Sequence, residues 1–409
     1  MNKQNPLISV EDAVRVVMDH TEDFGTEIVS FDKAHGRILK EEVRADRDMP
    51  PFDRVSMDGI AINSNAFKQG KRSFAIEGVQ AAGSSQLSLM DNEACLEVMT
   101  GAVLPKGVDT VIPYEQISIQ NSSASIEINE IRVFQNVHKK GIDRKINEVL
   151  IDRNKRLGAA EIGVLASTGM SSVRVAKLPK IAIVSTGNEL VEVDQTPLPH
   201  QIRRSNVHSL YSILNQLNVQ ADLFHFIDDK ESLHKKIREL IENYDVLMFS
   251  GAVSKGKFDF LPEVLTDLGV NKLFHRVKQR PGKPFWFGKK DRLTVFAFPG
   301  NPVSTFVSCL RYFVPWMNKC LGAEYINTNF AVLHEDFAFK PELTYFLQVK
   351  LMNEKGTLFA TPVTGNGSGD LANLTLSDAF LELPSNKSFF KKGECFPCIS
   401  FRNSFSHDR

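Results

Sequence analysis

The sequence predicts a multidomain chain of the α/β plus β class, and three observations support this prediction. The chain has 409 residues, more than one ordinary hydrophobic core holds, so about two to four domains are expected. From residue 180 onward, apolar strands alternate with amphipathic helices, as in a doubly wound parallel sheet covered on both faces. Before residue 147 and after residue 329, short runs with β periodicity alternate with turn residues.

Two helices are predicted outside the α/β part. Ser9 precedes an apolar series with helical spacing, and Asp12 lies at the third helical position, which is typical of a capped helix start. A second helix is predicted over residues 159–167, with Gly169 as its stop. We expect this second helix to pack with the first.

Between them, residues 26–146 are predicted to form a mostly β module. Short β-rich runs at 74–76, 95–99 and 110–112 are separated by Gly, Pro and Asn turns. The tail from about residue 329 returns to β periodicity, as in residues 345–351, and predicts a small separate barrel or sandwich.

The α/β part is predicted to contain four apolar strands and four amphipathic helices in alternation. The predicted strands are 181–184, 221–227, 246–249 and 294–298, and the predicted helices are 207–217, 230–242, 261–268 and 302–321. In such a sheet, ligands bind beyond the carboxyl ends of the strands.

Composition excludes several classes of function. Lys plus Arg and Asp plus Glu number 49 each, so no global field favours nucleic acid or an anionic membrane. No apolar run approaches the roughly 20 residues that span a bilayer, and we expect a cytoplasmic protein. Cys395 and Cys398 form a CxxC pair without a second pair or nearby His to complete a zinc shell, so we interpret them as small apolar residues of a late strand.

Polar segments follow four of the predicted strands directly. Glycine and serine at such turns let backbone N–H groups face an anion, which predicts a ligand that carries phosphate. The alternative is that these residues are the ordinary turn-forming residues of βα loops. None of the segments forms a Walker A loop or a GxGxxG fingerprint. The candidate binding residues are Ser185, Thr186, Gly187, Gly251, Ser254, Pro299, Gly300 and Asn301.

Acidic residues in the same segments predict a cation site. Glu189, Asp228 and Asp259 offer the hard oxygen ligands that Mg²⁺ prefers, often in combination with phosphate. Asp259 could instead cap the helix that follows it. We therefore predict Mg²⁺ as a cofactor, held by these three carboxylates.

Basic residues are concentrated between 275 and 284. Arg276, Arg280 and Lys283 form the best candidate for an anion-binding turn in this neutral chain, because arginine matches tetrahedral oxyanions with a planar fork of donors. A solvated run of charges is the alternative interpretation. The neighbouring Pro281, Gly282 and Pro284 favour a shaped turn.

Three loops of the β-rich module carry further candidates. These are Asp58 within 53–59, Thr100 within 99–102 and Asp143 within 138–143. The residues alone do not connect these loops to the α/β site, and Asp58-Gly59 by itself is an ordinary turn dipeptide.

Taken together, these segments resemble the MoeA family of molybdopterin molybdenumtransferases, which includes the E domain of gephyrin. The resemblance runs from about residue 6 into the C-terminal region. It rests on six ordered motifs at 50–59, 99–102, 185–190, 250–259, 280–284 and 299–304.

The resemblance implies four domains and a homodimer. The helical domain would comprise 1–25 and 147–178, the β-rich domain 26–146, the α/β molybdopterin-binding domain 179–328, and the C-terminal β-barrel 329–409. The site would lie between the α/β domain of one subunit and the β-rich domain of the other. Asp58, Thr100 and Asp143 would then act with Glu189, Asp228 and Asp259 as catalytic residues.

The resemblance also implies a reaction. Adenylylated molybdopterin and molybdate would be converted into molybdenum cofactor with release of AMP, assisted by Mg²⁺. Arg276, Arg280, Lys283 and Ser368 could bind molybdate through charge-assisted hydrogen bonds. A molybdopterin adenylyltransferase and apo-molybdoenzymes are possible partners, with no role for nucleic acid or a membrane.

Four positions depart from the family pattern. His138 replaces an arginine, Ile142 a glutamate, Ala252 a glycine and Gln348 an arginine. These changes leave open an altered affinity or a weakened paralogue. Two other functions stay open, namely a molybdopterin adenylyltransferase or nucleotide pyrophosphatase, and a noncatalytic scaffold.

Overall fold

The N-terminal helix belongs to the core of the α/β part. The computed structural model describes residues 7–253, 259–323 and 329–402. The helix Val10–Asp19 is capped as predicted, with the backbone N–H of Asp12 donating to Ser9 Oγ at 3.0 Å. Its buried face packs in one apolar cluster with Phe287 and Trp316.

The second helix, Ala159–Ser167, packs in a different apolar cluster, so the expectation that it packs with the first helix is wrong. Its neighbours include two short antiparallel ladders that the sequence did not predict as pairs. Thr26–Ser30 pairs with Ser172–Ala176, and Val43–Arg44 pairs with Val149–Ile151. The chain therefore returns to this region after it completes the β-rich sheet.

The β-rich part contains a six-stranded mixed sheet. The predicted runs at 74–76, 95–99 and 110–112 are confirmed as parts of its strands. A separate ladder joins Arg54–Val55 to Val137–His138, and a short helix spans Ser64–Lys68. In spatial order the strands of the sheet are Thr110–Pro113, Gly59–Ile62, Cys95–Val98, Ser73–Gln80, Ser123–Ile126 and Ile117–Gln120.

The α/β part is a sheet with helices on both faces, as predicted, but it has six strands rather than the four predicted. In spatial order its strands are Ala221–Phe226, Ile181–Thr186, Val246–Ser250, Leu293–Phe298, Trp286–Lys290 and Asn271–His275. The first four are parallel to one another, and the last two continue the sheet antiparallel. Alternate residues of Ile181–Thr186 enter separate apolar clusters on opposite faces, so the central strands are buried on both sides.

The helices of this part lie close to their predicted positions. They are Asn206–Gln216, Lys230–Asn243, Leu261–Asp267, Pro302–Ser308 and Val314–Cys320. The last predicted helix differs in one respect, because the π-helical turn Cys309–Phe313 divides it. Leu190–Val191 and Ile202–Arg203 form a small parallel ladder just before the first of these helices.

The C-terminal part closes into a five-stranded β-barrel, which confirms that prediction. The barrel strands are Thr344–Glu354, Thr357–Pro362, Phe330–Leu333, Cys395–Ser400 and Ala379–Leu383, and the last pairs with the first. Gln279–Arg280 adds a short strand to its edge, and Phe337–Ala338 pairs with Phe389–Phe390. Cys395 is exposed whereas Cys398 is buried, so only Cys398 behaves as the apolar strand residue that we predicted.

Candidate active site

The carboxyl ends of the four parallel strands meet at one edge of the sheet and line a cavity of about 470 Å³. We call it the sheet-edge cavity. Asn206 Nδ2 donates to Ser250 Oγ at 2.8 Å and to the carbonyl of Gly300 at 2.7 Å, which ties two of its loops together. Of the predicted residues, those in its lining are Ser185, Thr186, Gly187, Glu189, Asp228, Gly251, Asp259, Pro299, Gly300 and Asn301. Ser254 lies outside the described residues.

The three carboxylates predicted to hold a cation all lie in this lining. Asp228 Oδ1 is buried and accepts no hydrogen bond from the described residues. Burial, and then the nearby charges of Glu189 and Asp259, raise the pKa of Asp228. An added cation would relieve this repulsion and give Oδ1 a partner.

Asp259 does not occupy the capping position that was its alternative role. Phe260, and not Asp259, is the N-cap residue of Leu261–Asp267. Within the described ranges, no group of three or more His, Cys, Asp or Glu side chains is already arranged to hold a metal ion. A cation here would therefore need ligand oxygens in addition to those of the protein.

Backbone conformation brings the loops close to one another at this edge. Gly251 has a φ of +108°, and a Cβ there would lie 2.9 Å from the carbonyl oxygen of Thr186. The next residue, Ala252, adopts a φ of +53° where the family pattern has glycine. Thr186 Oγ1 is buried and has no hydrogen-bond partner within the described residues, so it remains available to a ligand.

A second cavity of about 370 Å³ adjoins the first, and we call it the basic cavity. Pro284, Pro299 and Asn301 line both cavities, so the two cavities share part of their walls. Asn301 Nδ2 donates to Ser368 Oγ at 2.7 Å. The predicted residues in the lining of the basic cavity are Arg280, Lys283, Pro299, Asn301 and Ser368.

Arg276 is placed differently from the other two basic candidates, because it lines neither cavity. It has a φ of +79°, its N–H donates to the carbonyl of Phe285 at 2.8 Å, and its carbonyl accepts from Ile8. Arg276 thus stabilises the turn through its backbone hydrogen bonds. Arg280 and Lys283 line the basic cavity, although Arg280 is exposed. Their role as an anion-binding turn stays a prediction.

Gln348 lies in the lining of the basic cavity, where the family pattern has arginine. Its Oε1 accepts from Asn373 Nδ2 at 3.2 Å and from Ser377 Oγ at 3.4 Å. A neutral amide therefore occupies this wall, and the cavity's cationic side chains are those of Arg280 and Lys283.

The loops of the β-rich part lie outside the linings of both cavities. Asp58 Oδ1 accepts from the Thr100 backbone N–H at 2.5 Å and from Thr100 Oγ1 at 2.7 Å, and these bonds lower the pKa of Asp58. His138 Nε2 lies 2.8 Å from Asp143 Oδ1, so the histidine that replaces arginine contacts the predicted catalytic carboxylate.

Sequence reasoning missed three residues near these sites. Arg204 lines the sheet-edge cavity. Tyr114 donates its backbone N–H to the carbonyl of Asp58 and its hydroxyl to Glu97. The polar run 203–206, directly before a helix, marks the segment but does not distinguish Arg204 from Arg203. Glu97 and Tyr114 come together only through the pairing of separate strands.

Fold and site define a multidomain protein built on a molybdopterin-binding-like α/β unit. Residues 182–319 match the probable molybdopterin binding domain, 8–169 the MoeA N-terminal region (domain I and II), and 331–401 the MoeA C-terminal region (domain IV). Together with the relatives below, these matches show that the chain belongs to the MoeA family of molybdopterin molybdenumtransferases.

The relatives match over their full length. A molybdopterin molybdenumtransferase of Synechocystis sp. is 42% identical over 397 residues, which is 96% of this chain and 99% of the relative. One from Staphylococcus epidermidis is 29% identical, covering 100% of this chain and 99% of the relative. The crystal structure of a molybdopterin biosynthesis MoeA protein from Pyrococcus horikoshii, 29% identical, aligns with a TM-score of 0.82 over 98% of this chain and 100% of that one. Among the described residues, no helix is long and apolar enough to cross a membrane.

Proposed function

We propose that this protein transfers molybdenum from molybdate to adenylylated molybdopterin, with release of AMP. The observation that carries the proposal is that two unlike cavities share part of their lining. One is lined by carboxylates and strand-end loops, and the other by Arg280 and Lys283. A reaction of adenylylated molybdopterin with molybdate needs both environments, one for the phosphoanhydride with its cation and one for the tetrahedral dianion.

In this proposal the sheet-edge cavity binds the nucleotide-capped part of the substrate. Its loops present glycines and hydroxyl groups, which can approach phosphate oxygens closely. Thr186 supports the assignment, because its buried hydroxyl has no partner within the described part of the chain. The binding residues proposed here are Ser185, Thr186, Gly187, Gly251, Ser254, Pro299, Gly300 and Asn301.

Molybdate is a substrate in this reaction, and we assign it to the basic cavity. Arg280 and Lys283 would supply the positive charge that a tetrahedral dianion requires, and Ser368 a hydroxyl donor. Asn301 contacts Ser368 and lines both cavities, so it would help to fix the position of molybdate relative to adenylylated molybdopterin. Arg276 would support the turn through its backbone.

Mg²⁺ fits the donor set of the sheet-edge cavity. Asp228 carries a buried oxygen without a partner in the described residues, and Glu189 and Asp259 lie close enough to raise its pKa. Mg²⁺ is usually held by one or two carboxylates together with substrate phosphates and water. When bound, it would neutralise negative charge at the phosphoanhydride as AMP leaves.

A homodimer completes the proposed site. Asp58, Thr100 and Asp143 lie outside both cavities of their own chain. In a homodimer they would reach the sheet-edge cavity of the partner subunit. Exposed apolar side chains near these loops support such an interface: Phe52 is 37% exposed, Met57 41% and Ile142 61%. The domain boundaries given above, a cytoplasmic location and exchange with an adenylyltransferase and apo-molybdoenzymes belong to the same proposal.

AMP release is the direct test. Purified protein with adenylylated molybdopterin, molybdate and Mg²⁺ is expected to release AMP and to activate an apo-molybdoenzyme. Asp259→Ala is expected to lower this rate by at least about tenfold, whereas Glu239→Gln, on the exposed side of the helix Lys230–Asn243, serves as the unaffected control. Absence of AMP release from the wild-type protein, or ATP consumption with free molybdopterin, would refute the proposal.

A further inference from the structure

We infer that Arg204 is a phosphate-binding residue of the sheet-edge cavity, held in place by Glu192. The inference rests on the proposed function and extends it, because it assigns the group that compensates the substrate's negative charge in a cavity lined by carboxylates. The ligand chemistry concerned is a nucleoside monophosphate or the corresponding phosphoanhydride.

The position of Arg204 follows from the local fold. It comes directly after the short strand Ile202–Arg203, and its backbone N–H donates to the carbonyl of Val191 at 3.0 Å. The helix Asn206–Gln216 begins two residues later, at the sheet edge. Arg204 is therefore fixed by backbone pairing on one side and by a helix on the other.

The side chain of Arg204 is buried while it lines the cavity. Only 9% of it is exposed, and Nη2 contacts Glu192 Oε2 at 2.8 Å. Its Nε is buried and donates no hydrogen bond to any described residue. A buried guanidinium donor without a partner is uncommon in folded proteins and is satisfied when an oxyanion binds.

The negative charge of the lining creates a need for a cationic side chain, which Arg204 supplies. Glu189, Asp228 and Asp259 would repel a phosphate group that enters the cavity. The neighbouring Arg203 also lines the cavity, but it is exposed and its Nε donates to the carbonyl of Gln195 at 3.0 Å. Arg204 is thus the buried cationic side chain that the described lining offers to an anion.

Glu192 has a positioning role in this arrangement. Its carboxylate, which is 49% exposed, engages Nη2 of the guanidinium and leaves Nε without a partner among the described residues. Because the ion pair fixes the planar fork, less conformational freedom is lost when an anion binds. Glu192 would therefore influence phosphate affinity without contact to the phosphate.

Calorimetric titration of the full-length protein with AMP and with adenosine tests the inference. Arg204→Ala is expected to weaken AMP binding at least tenfold and to leave adenosine binding unchanged. Arg204→Lys, which keeps the charge but loses the fork, is expected to fall between Arg204→Ala and wild type. Glu192→Gln is expected to weaken AMP binding about two- to fivefold, the size of effect of a half-exposed ion pair. Arg238→Ala, at an exposed arginine on another helix, is expected to change the binding of neither ligand.

The outcomes separate this inference from the function on which it rests. Equal AMP affinity in wild type and Arg204→Ala would overturn the inference even if the wild type releases AMP from adenylylated molybdopterin. A parallel loss of AMP and adenosine binding would also overturn it, because that pattern indicates a structural role. If Arg204→Ala does not fold, the comparison of Arg204→Lys with wild type decides the question. Failure of the wild type to release AMP would refute the proposed function instead.

Discussion

At the scale of single residues, the two halves of the proposed site shift the pKa values of their carboxyl groups in opposite directions. Thr100 hydrogen bonds lower the pKa of Asp58, so Asp58 is a carboxylate at neutral pH. Burial and neighbouring carboxylates raise the pKa of Asp228, so its charge is unfavourable until a cation or a donor arrives. The difference matches a site in which one carboxylate is already satisfied and another awaits a ligand.

Asp228→Asn is expected to stabilise the ligand-free protein at neutral pH. The folded state retains the Asp228 proton above the ordinary pKa of 3.8, so the wild-type free energy of unfolding falls as pH rises through the raised value. The advantage of the variant in urea unfolding should be present at about pH 8 and absent below about pH 4. Glu239→Gln is the control. A destabilised Asp228→Asn at the higher pH would contradict this explanation.

Thr100→Val is expected to raise the pKa of Asp58. The substitution removes the hydroxyl that donates to Asp58 Oδ1 and keeps the backbone N–H that also donates. The pKa should therefore move only part of the way to its ordinary value, which a carbon-detected NMR titration of the carboxyl group can measure. Thr266→Val, on the helix Leu261–Asp267, is a matched control with no expected effect. An unchanged titration in Thr100→Val would argue against the hydrogen bond.

At the scale of elements, periodicity predicted most strands and helices because burial on a sheet imposes it. The strand Ile181–Thr186 and the helix Lys230–Asn243 lie within a few residues of their predicted bounds. The π-helical turn Cys309–Phe313 was not predicted. It changes the hydrogen bonds from i→i+4 to i→i+5 within a segment that is largely buried, where the apolar pattern does not mark such a change. Packing partners were also not predictable, as Val10–Asp19 shows, because an apolar face does not specify which core it joins.

The loop that follows the strand Val246–Ser250 is expected to tolerate change poorly. Gly251→Ala would place a Cβ against the Thr186 carbonyl at a φ of +108°, so a loss of about 1–3 kcal/mol in unfolding free energy is expected. AMP affinity should fall as well. Gly163→Ala, on an exposed helix position with open space around it, should instead stabilise by about 0.5–1 kcal/mol. Equal effects of the two substitutions would show that the loop is not constrained.

At the scale of the whole molecule, the sequence predicted the order of the parts and most candidate residues of the sheet-edge cavity. Those residues could be found because parallel strands end at a common edge. Arg204 was not predicted as a site residue, because the sequence does not show which of the adjacent Arg203 and Arg204 has a buried side chain. The loops that carry Asp58 and Asp143 lie outside both cavities, so the catalytic role proposed for them requires the proposed homodimer.

Subunit complementation tests this assembly most directly. Asp58→Asn and Glu189→Gln are each expected to abolish most AMP release as homodimers. If each site combines loops of both subunits, the heterodimer of these two variants has one intact site and should regain about half of the wild-type rate. A heterodimer of wild type with the double variant should then be nearly inactive. The opposite pattern, an inactive first heterodimer and a half-active second one, would show that each chain builds its own site and would contradict the account.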